Sequence, residues 1–384
     1  YNTAIGDQAL GSNTRGSLST AVGQAALYTQ NLTTAVNVYN VAVGASAGLY
    51  VTTGVQNTLI GALAGDSLTN ADHNTAVGFN ALTADTQGSK SVAIGTGTLA
   101  TQNFTTATNA YNIAIGFDAG VAVTTGVRNT LVGGLAGDAN TIGFNNVALG
   151  YDAMGANTAS GANVAIGYQS LLVYNNTSEA SHFNTAVGTQ SGKALTTGLY
   201  NNLFGGLAGD ALTTGDSNTA IGYATLSSDT KGERAIAIGE GALFAQNFTS
   251  ETSNYNVAIG YNAGYNVTTG IKNTIIGGLA GDQLADADFN TAVGYGSLST
   301  DDLGSKSTAV GTFALEAQNY ATATDSHNTA VGYIAGGAIT TGVRNTLIGS
   351  LAGDTLNVGQ ENVAVGYGAL DAGNTDSQNV AVGA

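Results

Sequence analysis

The chain has 384 residues with 56 glycines, no proline and no cysteine, and 25 acidic against 9 basic side chains give it a formal net charge of −16. These features exclude a collagen helix, a fold held by disulfides and a thiolate metal site. No apolar run of about 20 residues is present to cross a membrane, and the acidic charge disfavours nucleic acid and anionic lipid as partners.

A five-residue pattern, Asn-Val-Ala-Ile-Gly with small variations, recurs through the chain, and its final glycine marks each copy. From Gly6 to Gly383 the marks follow a series of one 17-residue step, one 21-residue step and two more 17-residue steps, which repeats without a slip in 72-residue units. A strict short period inside a strict long one is typical of repeat architectures. We therefore predict a single solenoid over residues 1–384, made of five 72-residue units. Because the chain starts and stops inside the pattern, we expect it to be a segment of a longer protein.

Each coil, meaning one turn of the predicted solenoid, contains two short strands and two β-turns. The first strand ends at the mark glycine, a second short segment follows, and polar residues that favour turns complete the coil. The density of glycine and β-branched residues with a period of two disfavour helix. We predict an all-β parallel β-solenoid of 22 coils, in which three 17-residue coils and one 21-residue coil make up each unit. The mark glycines should be structural turn positions with positive φ. Those that close the 21-residue coils are Gly44, Gly116, Gly188, Gly260 and Gly332.

Equivalent residues of neighbouring coils should stack about 4.8 Å apart. Asparagine precedes nearly every strand, so its side chains are predicted to form an amide ladder. Four coils interrupt this ladder, at Ser19, Ser91, Ala235 and Ser307. Strand alternation places the β-branched residues on one face and alanine on the other. We expect the alanine-lined face to be exposed in one chain and to be buried where three chains close around an axis.

A larger residue replaces the strand alanine in every fourth coil, and this extra bulk needs a hollow to fill. The residues at this place are Leu59, Leu131, Leu203, Ile275 and Leu347.

The 21-residue coils carry four extra residues, which should bulge outward so that the strands keep their register. The predicted loops cover residues 31–37, 103–109, 175–181, 247–253 and 319–325. Loops on a rigid scaffold are where binding tends to reside, and a clasp onto a neighbouring chain is the alternative. The candidate exposed residues are Asn103, Phe104, Thr105, Asn175, Asn176, Asn247, Phe248, Asn319 and Tyr320.

The strand motif resembles a known family of repeats. Ser91-Val92-Ala93-Ile94-Gly95 and the segment 163–171 are similar to the head repeats of trimeric autotransporter adhesins and to the repeat shafts of phage tail fibres. The resemblance covers essentially the whole chain and implies a left-handed parallel β-roll with three chains on a common axis. Autotransporter head repeats are shorter than even the short coils of this chain and lack a regular long coil, which favours the phage branch.

Three further patterns suggest binding, each beside a plainer structural interpretation. The Gly-Asp turns resemble calcium repeats but recur only every fourth coil, which favours turns in which aspartate bonds the backbone. The Thr-Thr pairs, of which Thr124-Thr125 is one, suggest an ice-binding array, but they too recur only every fourth coil and favour solvated turns. Aromatic residues after the mark glycines suggest a sugar-binding rank, with packing at a coil edge or between chains as the alternative. They are Phe79, Tyr151, Tyr223, Tyr261, Tyr295, Tyr333 and Tyr367.

No catalytic constellation is evident, because His73, His182 and His327 lie at non-equivalent points without a recurring carboxylate or serine partner. We therefore predict a non-enzymatic fibre segment with no cofactor and no metal site. A phage or phage-like tail-fibre shaft that spaces or displays receptor binding is the first hypothesis. A bacterial trimeric adhesin head that binds host matrix or cells, and a solenoid that binds ice or calcium, are the alternatives. The expected partners are two further copies of the chain and a cell-surface glycan or protein receptor, without nucleic acid or membrane contact. The expected location is extracellular or on the virion surface.

Overall fold

The computed structural model describes residues 1–372 and 375–383, and these residues form strands and turns without any helix. The chain divides into two compact units, unit 1 at Tyr1–Gln190 and unit 2 at Ser191–Ala384. Each unit is a parallel β-solenoid, and the two units together contain about 22 coils. The all-β parallel solenoid predicted from the sequence is therefore confirmed.

Unit 1 contains eleven three-residue strands and four two-residue strands. Their bounds are β1 Thr3–Ile5, β2 Gly16–Ser17, β3 Thr20–Val22, β4 Val36–Asn37, β5 Val41–Val43, β6 Thr58–Ile60, β7 Thr75–Val77, β8 Gly88–Ser89, β9 Val92–Ile94, β10 Thr108–Asn109, β11 Ile113–Ile115, β12 Thr130–Val132, β13 Val147–Leu149, β14 Val164–Ile166 and β15 Thr185–Val187.

Unit 2 repeats this composition, with eleven three-residue and four two-residue strands among its described residues. Their bounds are β16 Asn202–Phe204, β17 Thr219–Ile221, β18 Gly232–Glu233, β19 Ile236–Ile238, β20 Thr252–Ser253, β21 Val257–Ile259, β22 Thr274–Ile276, β23 Thr291–Val293, β24 Gly304–Ser305, β25 Thr308–Val310, β26 Thr324–Asp325, β27 Thr329–Val331, β28 Thr346–Ile348, β29 Val363–Val365 and β30 Val380–Val382.

The three-residue strands pair in parallel with equivalent residues opposite each other. Ala114 of β11, for example, lies between Ala93 of β9 and Leu131 of β12. The extra residues of the long coils leave this register intact, as expected. The two-residue strand of a long coil pairs with that of the short coil before it in a separate ribbon, β2 with β4 and β8 with β10 in unit 1, and β18 with β20 and β24 with β26 in unit 2.

The strand alternation is confirmed, but the expectation that the alanine face is the exposed one is wrong. Ala93 and Ala114 are fully buried inside the coil, whereas Ile115 and Ile60 on the opposite face are more than one-third exposed. The interior is narrow because large side chains such as Leu99 enter it from the segment after each mark glycine. Only a small residue then fits on the strand side. The valine and isoleucine column therefore faces outward, and we call it the outer face.

The hollow expected beside the larger strand residues is present and is made by glycines. A Cβ added to Gly120 would lie 2.7 Å from Cδ1 of Leu131, and one added to Gly137 would lie 2.8 Å from its Cδ2. Leu131 is almost fully buried in this space. The same arrangement surrounds Leu59, with Gly48 and Gly65 in the corresponding places.

The asparagine ladder forms, but its main bonds run from side chain to backbone. The Oδ1 atom of Asn129 accepts from the backbone N–H of Asn146 in the next coil (3.0 Å). Its Nδ2 donates to the carbonyl of Gly143 (2.8 Å) and makes a longer bond to Oδ1 of Asn112 (3.3 Å). Each buried amide thus satisfies backbone groups that face the core at a coil corner.

All the mark glycines have positive φ, between 122° and 141°, as the sequence predicts. Gly116 is representative, with φ of 138°. The carbonyl oxygen of Gly133 in the next coil lies so close to it that no Cβ would fit. Side-chain-bearing residues rarely adopt this conformation.

Candidate binding surfaces

The loops of the long coils are exposed at their tips and anchored at their bases. In the 103–109 loop, Asn103 and Thr105 are exposed and Thr108 pairs with Gly88 in the β8–β10 ribbon. The predicted exposure is wrong for the aromatic residue after the first asparagine. Phe104, Phe248 and Tyr320 are only 6%, 5% and 4% exposed.

The ring of Phe104 is buried because it fits beside a glycine of the preceding coil. A Cβ on Gly88 would lie 2.7 Å from Cδ2 of Phe104, so the missing side chain provides the room for the ring. Asn247 and Asn319 are exposed as predicted, whereas Asn175 and Asn176 are half-buried. The surface available for recognition is therefore the short tip of each loop.

A buried carboxylate holds the base of three of these loops. Asp85 is fully buried, and its Oδ1 accepts from the backbone N–H groups of Gly88 (2.9 Å) and Phe104 (3.2 Å). Its Oδ2 accepts from Nε2 of Gln102 (2.6 Å). Gln102 in turn bridges the interrupted ladder, since it donates to Ser91 Oγ (3.1 Å) and accepts from Asn112 Nδ2 (2.8 Å).

The same carboxylate and glutamine recur in unit 2. Asp229 pairs with Gln246 (2.6 Å), and Asp301 pairs with Gln318. Burial raises the pKa of Asp85, Asp229 and Asp301, while the hydrogen bonds from the glutamines and backbone amides act in the opposite direction. This feature was not predicted from the sequence. Its signal was the recurrence of glutamine at the same place, as Gln30, Gln102, Gln246 and Gln318.

We expect the buried Asp229 carboxyl group to stabilise its loop base more at acidic pH than at neutral pH. A carboxyl group with a raised pKa in the folded state contributes stability that is present below its unfolded pKa of about 4 and is lost as pH rises through the folded value. The local opening free energy of wild type minus that of Asp229→Asn should therefore increase as pH falls from 7 to 4. The measurement is hydrogen exchange of the Gly232 and Phe248 amides, corrected for their intrinsic rates.

Asp286→Asn, at an exposed site in the same unit, is the matched control and should leave these two amides unchanged. A difference that instead decreases toward pH 4 would show that the donors lower the pKa of Asp229 more than burial raises it.

The third long coil replaces the glutamine with Tyr174, which the sequence analysis did not connect to His182. Tyr174 Oη lies 2.7 Å from His182 Nδ1, and Ser178 Oγ lies 3.3 Å from His182 Nε2. Both rings are buried, and burial lowers the pKa of His182. Tyr174 occupies the position of Gln102 one unit earlier, so this group holds the loop base where the glutamine does so elsewhere.

Two of the recurring aspartates of the Gly-Asp turns are bonded to the next coil. Thr83 donates its hydroxyl to Asp66, and Ser227 donates to Asp210. Asp138 has no such hydroxyl beside it, and its pKa is raised by burial and by Asp152. Within residues 1–372 and 375–383, no three His, Asp or Glu side chains are grouped so as to hold a metal ion.

The aromatic residues after the mark glycines are exposed, and two of them line a surface cleft in unit 2. Tyr223 and Tyr261, which are 58% and 56% exposed, border a cleft of about 240 Å³ that also contains Glu240. Phe244 and Tyr265 stack within it, with ring centroids 4.9 Å apart. Exposed rings beside a carboxylate match the chemistry of sugar binding, which stays a prediction for this edge.

No protein-family model matches the chain, and no curated protein matches it either. In the part of the chain that the structure describes, no helix has the length and apolar character needed to span a membrane. The resemblance to adhesin and tail-fibre repeats therefore stays a prediction, and function is inferred from the surfaces described above.

Proposed function

We propose that this chain is a non-enzymatic segment of a homotrimeric fibre, of the kind that forms the shaft of a phage or phage-like tail fibre. The outer face is the observation that carries the proposal. It presents apolar side chains on coil after coil in each unit, with Ile60 and Ile115 in unit 1 and Ile221, Ile276 and Ile348 in unit 2 all more than one-third exposed. A continuous apolar strip of this length is uncommon on a monomer and marks an interaction surface.

Two further copies of the chain suit this surface. The strip follows strands that pair in register within each unit, so closing three strips around one axis buries all of them by cyclic symmetry. This burial is favourable because it removes apolar side chains from water. The proposed interface between chains is thus formed by the outer face, and not by the alanine face expected from the sequence. The proposal includes left-handed coils with the short and long lengths predicted from the sequence, and a location on a virion or cell surface.

Such a fibre spaces or displays elements that bind a cell-surface glycan or protein. The exposed loop tips support this role, because they project from coils whose register they do not disturb and are anchored by the buried Asp85 and Phe104. Their sequences vary while the strands stay constant, as Thr105-Thr106-Ala107 and the segment 177–179 show.

Replacing loop tips tests the display role. We expect Gly-Ser-Gly in place of residues 105–107, 249–251 and 321–323 to leave the fold and the oligomeric mass unchanged, because these residues are exposed. Binding to target cells should fall at least tenfold. Flow cytometry with fluorescent protein measures the binding, and light scattering measures the mass.

Phe104→Ala is the companion variant, because it empties a buried site and leaves the tip residues in place. It should lower local stability by about 3 kcal/mol. If tip replacement changes the mass, the loops are clasps between chains and the recognition role is wrong.

A further inference from the structure

The basic residues of this acidic chain are concentrated at one position of the coil. The residue immediately before each ladder asparagine, or before the serine or alanine that replaces it, is basic in six coils, which accounts for six of the nine Lys and Arg side chains. They are Lys90, Arg128, Arg234, Lys272, Lys306 and Arg344.

In unit 2 this position alternates between a cation and a ring over seven successive coils. The residues of this cation–ring column are Arg234, Tyr255, Lys272, Phe289, Lys306, His327 and Arg344. All seven are exposed, and all have left-handed φ between 49° and 62°. A left-handed backbone has a steric cost for such bulky residues.

The strand pairing brings these residues into one line. Each residue of the column stands two positions before its strand, and β19, β21, β22, β23, β25, β27 and β28 pair in sequence with equivalent residues opposite. At a strand spacing of about 4.8 Å, cations recur roughly every 10 Å with a ring between them.

Two neighbouring pairs of side chains in the column are in contact. Lys272 Nζ lies 5.0 Å from the ring centroid of Phe289, and the guanidinium of Arg234 lies 5.6 Å from that of Tyr255. These cation–π contacts stabilise the arrangement of each ring beside its cation. Tyr255 and Phe289 are nevertheless about half exposed, so each keeps ring surface open to solvent.

Carboxylates balance part of this charge, but weakly. Arg234 pairs with Glu233 (3.1 Å) and Arg344 pairs with Glu361 (2.8 Å), both at the surface, where an ion pair contributes about 0–1 kcal/mol. Lys306 pairs with Asp325. Lys272, the third residue of the column, has no ion pair among the described residues. A stronger multivalent anion could displace such exposed pairs.

We propose that the cation–ring column binds a linear anionic polysaccharide, with sugar faces on the rings and acidic groups of the polymer on the cations. The C–H face of a pyranose packs on an aromatic face, whose quadrupole is negative. A cation at every second coil matches a polymer with one acidic group in each disaccharide. The proposal goes beyond the fibre role and does not require the trimer.

Nucleic acid suits the column less well. A nucleic-acid strand carries one charge about every 3.4 Å, roughly three times as dense as the cations of the column. The chain's net charge of −16 repels any polyanion, and this repulsion is smallest for a sparsely charged one. A membrane surface would need a broad basic patch, whereas the column is a single line of residues.

The test uses the 384-residue chain and fluorescent hyaluronan decasaccharide, which carries one carboxylate per disaccharide. Fluorescence anisotropy is measured between 20 and ~200 mM NaCl, over which the Debye length shortens and screening increases. Neutral dextran and single-stranded oligo(dT) are the comparison probes, and the mass of each variant is measured in parallel.

We expect hyaluronan to bind more tightly than dextran or oligo(dT). Lys272→Gln should weaken binding about threefold to tenfold and flatten its salt dependence. Tyr255→Ala combined with Phe289→Ala should weaken it about tenfold while leaving the salt dependence unchanged. Lys193→Gln, a basic residue of unit 2 outside the column, should have no effect.

Three results would overturn the proposal. Oligo(dT) or dextran binding as tightly as hyaluronan would assign the column to another ligand, and hyaluronan binding that ignores the column variants would place the site elsewhere. A changed mass in the column variants would show that the column joins copies of the chain. A monomeric wild type that still binds hyaluronan through the column would contradict the fibre and leave this proposal intact.

Discussion

Gly133→Val is expected to unfold the coils around it, at a cost of at least about 3 kcal/mol in local stability. Gly133 has φ of 135°, and a Cβ there would lie 2.6 Å from the carbonyl carbon of Gly150 and closer still to its oxygen. Both clashing atoms belong to the backbone of the next coil, so no side-chain rotation relieves the overlap. Gly205→Val should behave alike, because its Cβ would meet the carbonyl of Gly222 in the same way.

The neighbouring glycine provides the matched control. A Cβ on Gly134 would meet only Tyr151, with Cδ2 at an ordinary 3.6 Å, so Gly134→Ala should change stability by less than about 1 kcal/mol. Lys90→Ser, on the surface, should also be mild. Thermal melts followed by circular dichroism compare the variants. A Gly133→Val protein with the same melting temperature as wild type would refute the role of the mark glycines.

Asn129→Leu should destabilise the solenoid by about 3 kcal/mol or more. Leucine is of similar size, but it removes the acceptor for the Asn146 N–H and the donor to the Gly143 carbonyl. Asn129 and Asn146 are almost completely buried, so water does not replace the lost bonds. Each buried group left without a partner costs about 1–3 kcal/mol. Hydrogen exchange at Asn146 should report the loss directly, as faster exchange of that amide.

Ser91→Ala is the control for the ladder, because it makes the change that the chain already carries at Ala235. The Ser91 amide still donates to Asn74 (2.8 Å), and only the bond from Gln102 to the hydroxyl is lost. We expect a cost below about 1.5 kcal/mol. An Asn129→Leu effect no larger than that of Ser91→Ala would show that the ladder contributes little.

Sequence alone predicted the backbone architecture because a strict period records it directly. The positive φ of glycines such as Gly116 and the hollow beside Leu131 followed from the same period. Which strand face points inward did not follow, because alanine and isoleucine are both apolar and alternation does not distinguish inside from outside. Which face is buried depends on large side chains such as Leu99, which enter the interior from the opposite segment of the coil.

The candidate sites were predicted less well than the fold. Phe104 was expected in an exposed loop, but the space beside Gly88, in another coil, buries its ring. The hydrogen bond between Gln102 and Asp85 joins residues of neighbouring coils. Only the recurrence of these two residue types at fixed places in the units could have indicated it. Aligning the position before each asparagine would likewise have shown the column around Lys272.

The oligomeric mass of the 384-residue chain tests the central claim, that the outer face is closed by copies of the same chain. Sedimentation equilibrium should give three times 38.0 kDa. Ile115→Asp combined with Ile259→Asp, which places charges on the exposed outer face of each unit, should give monomers that keep the β-type circular dichroism spectrum. A wild-type mass of 38.0 kDa at micromolar concentration would contradict the account.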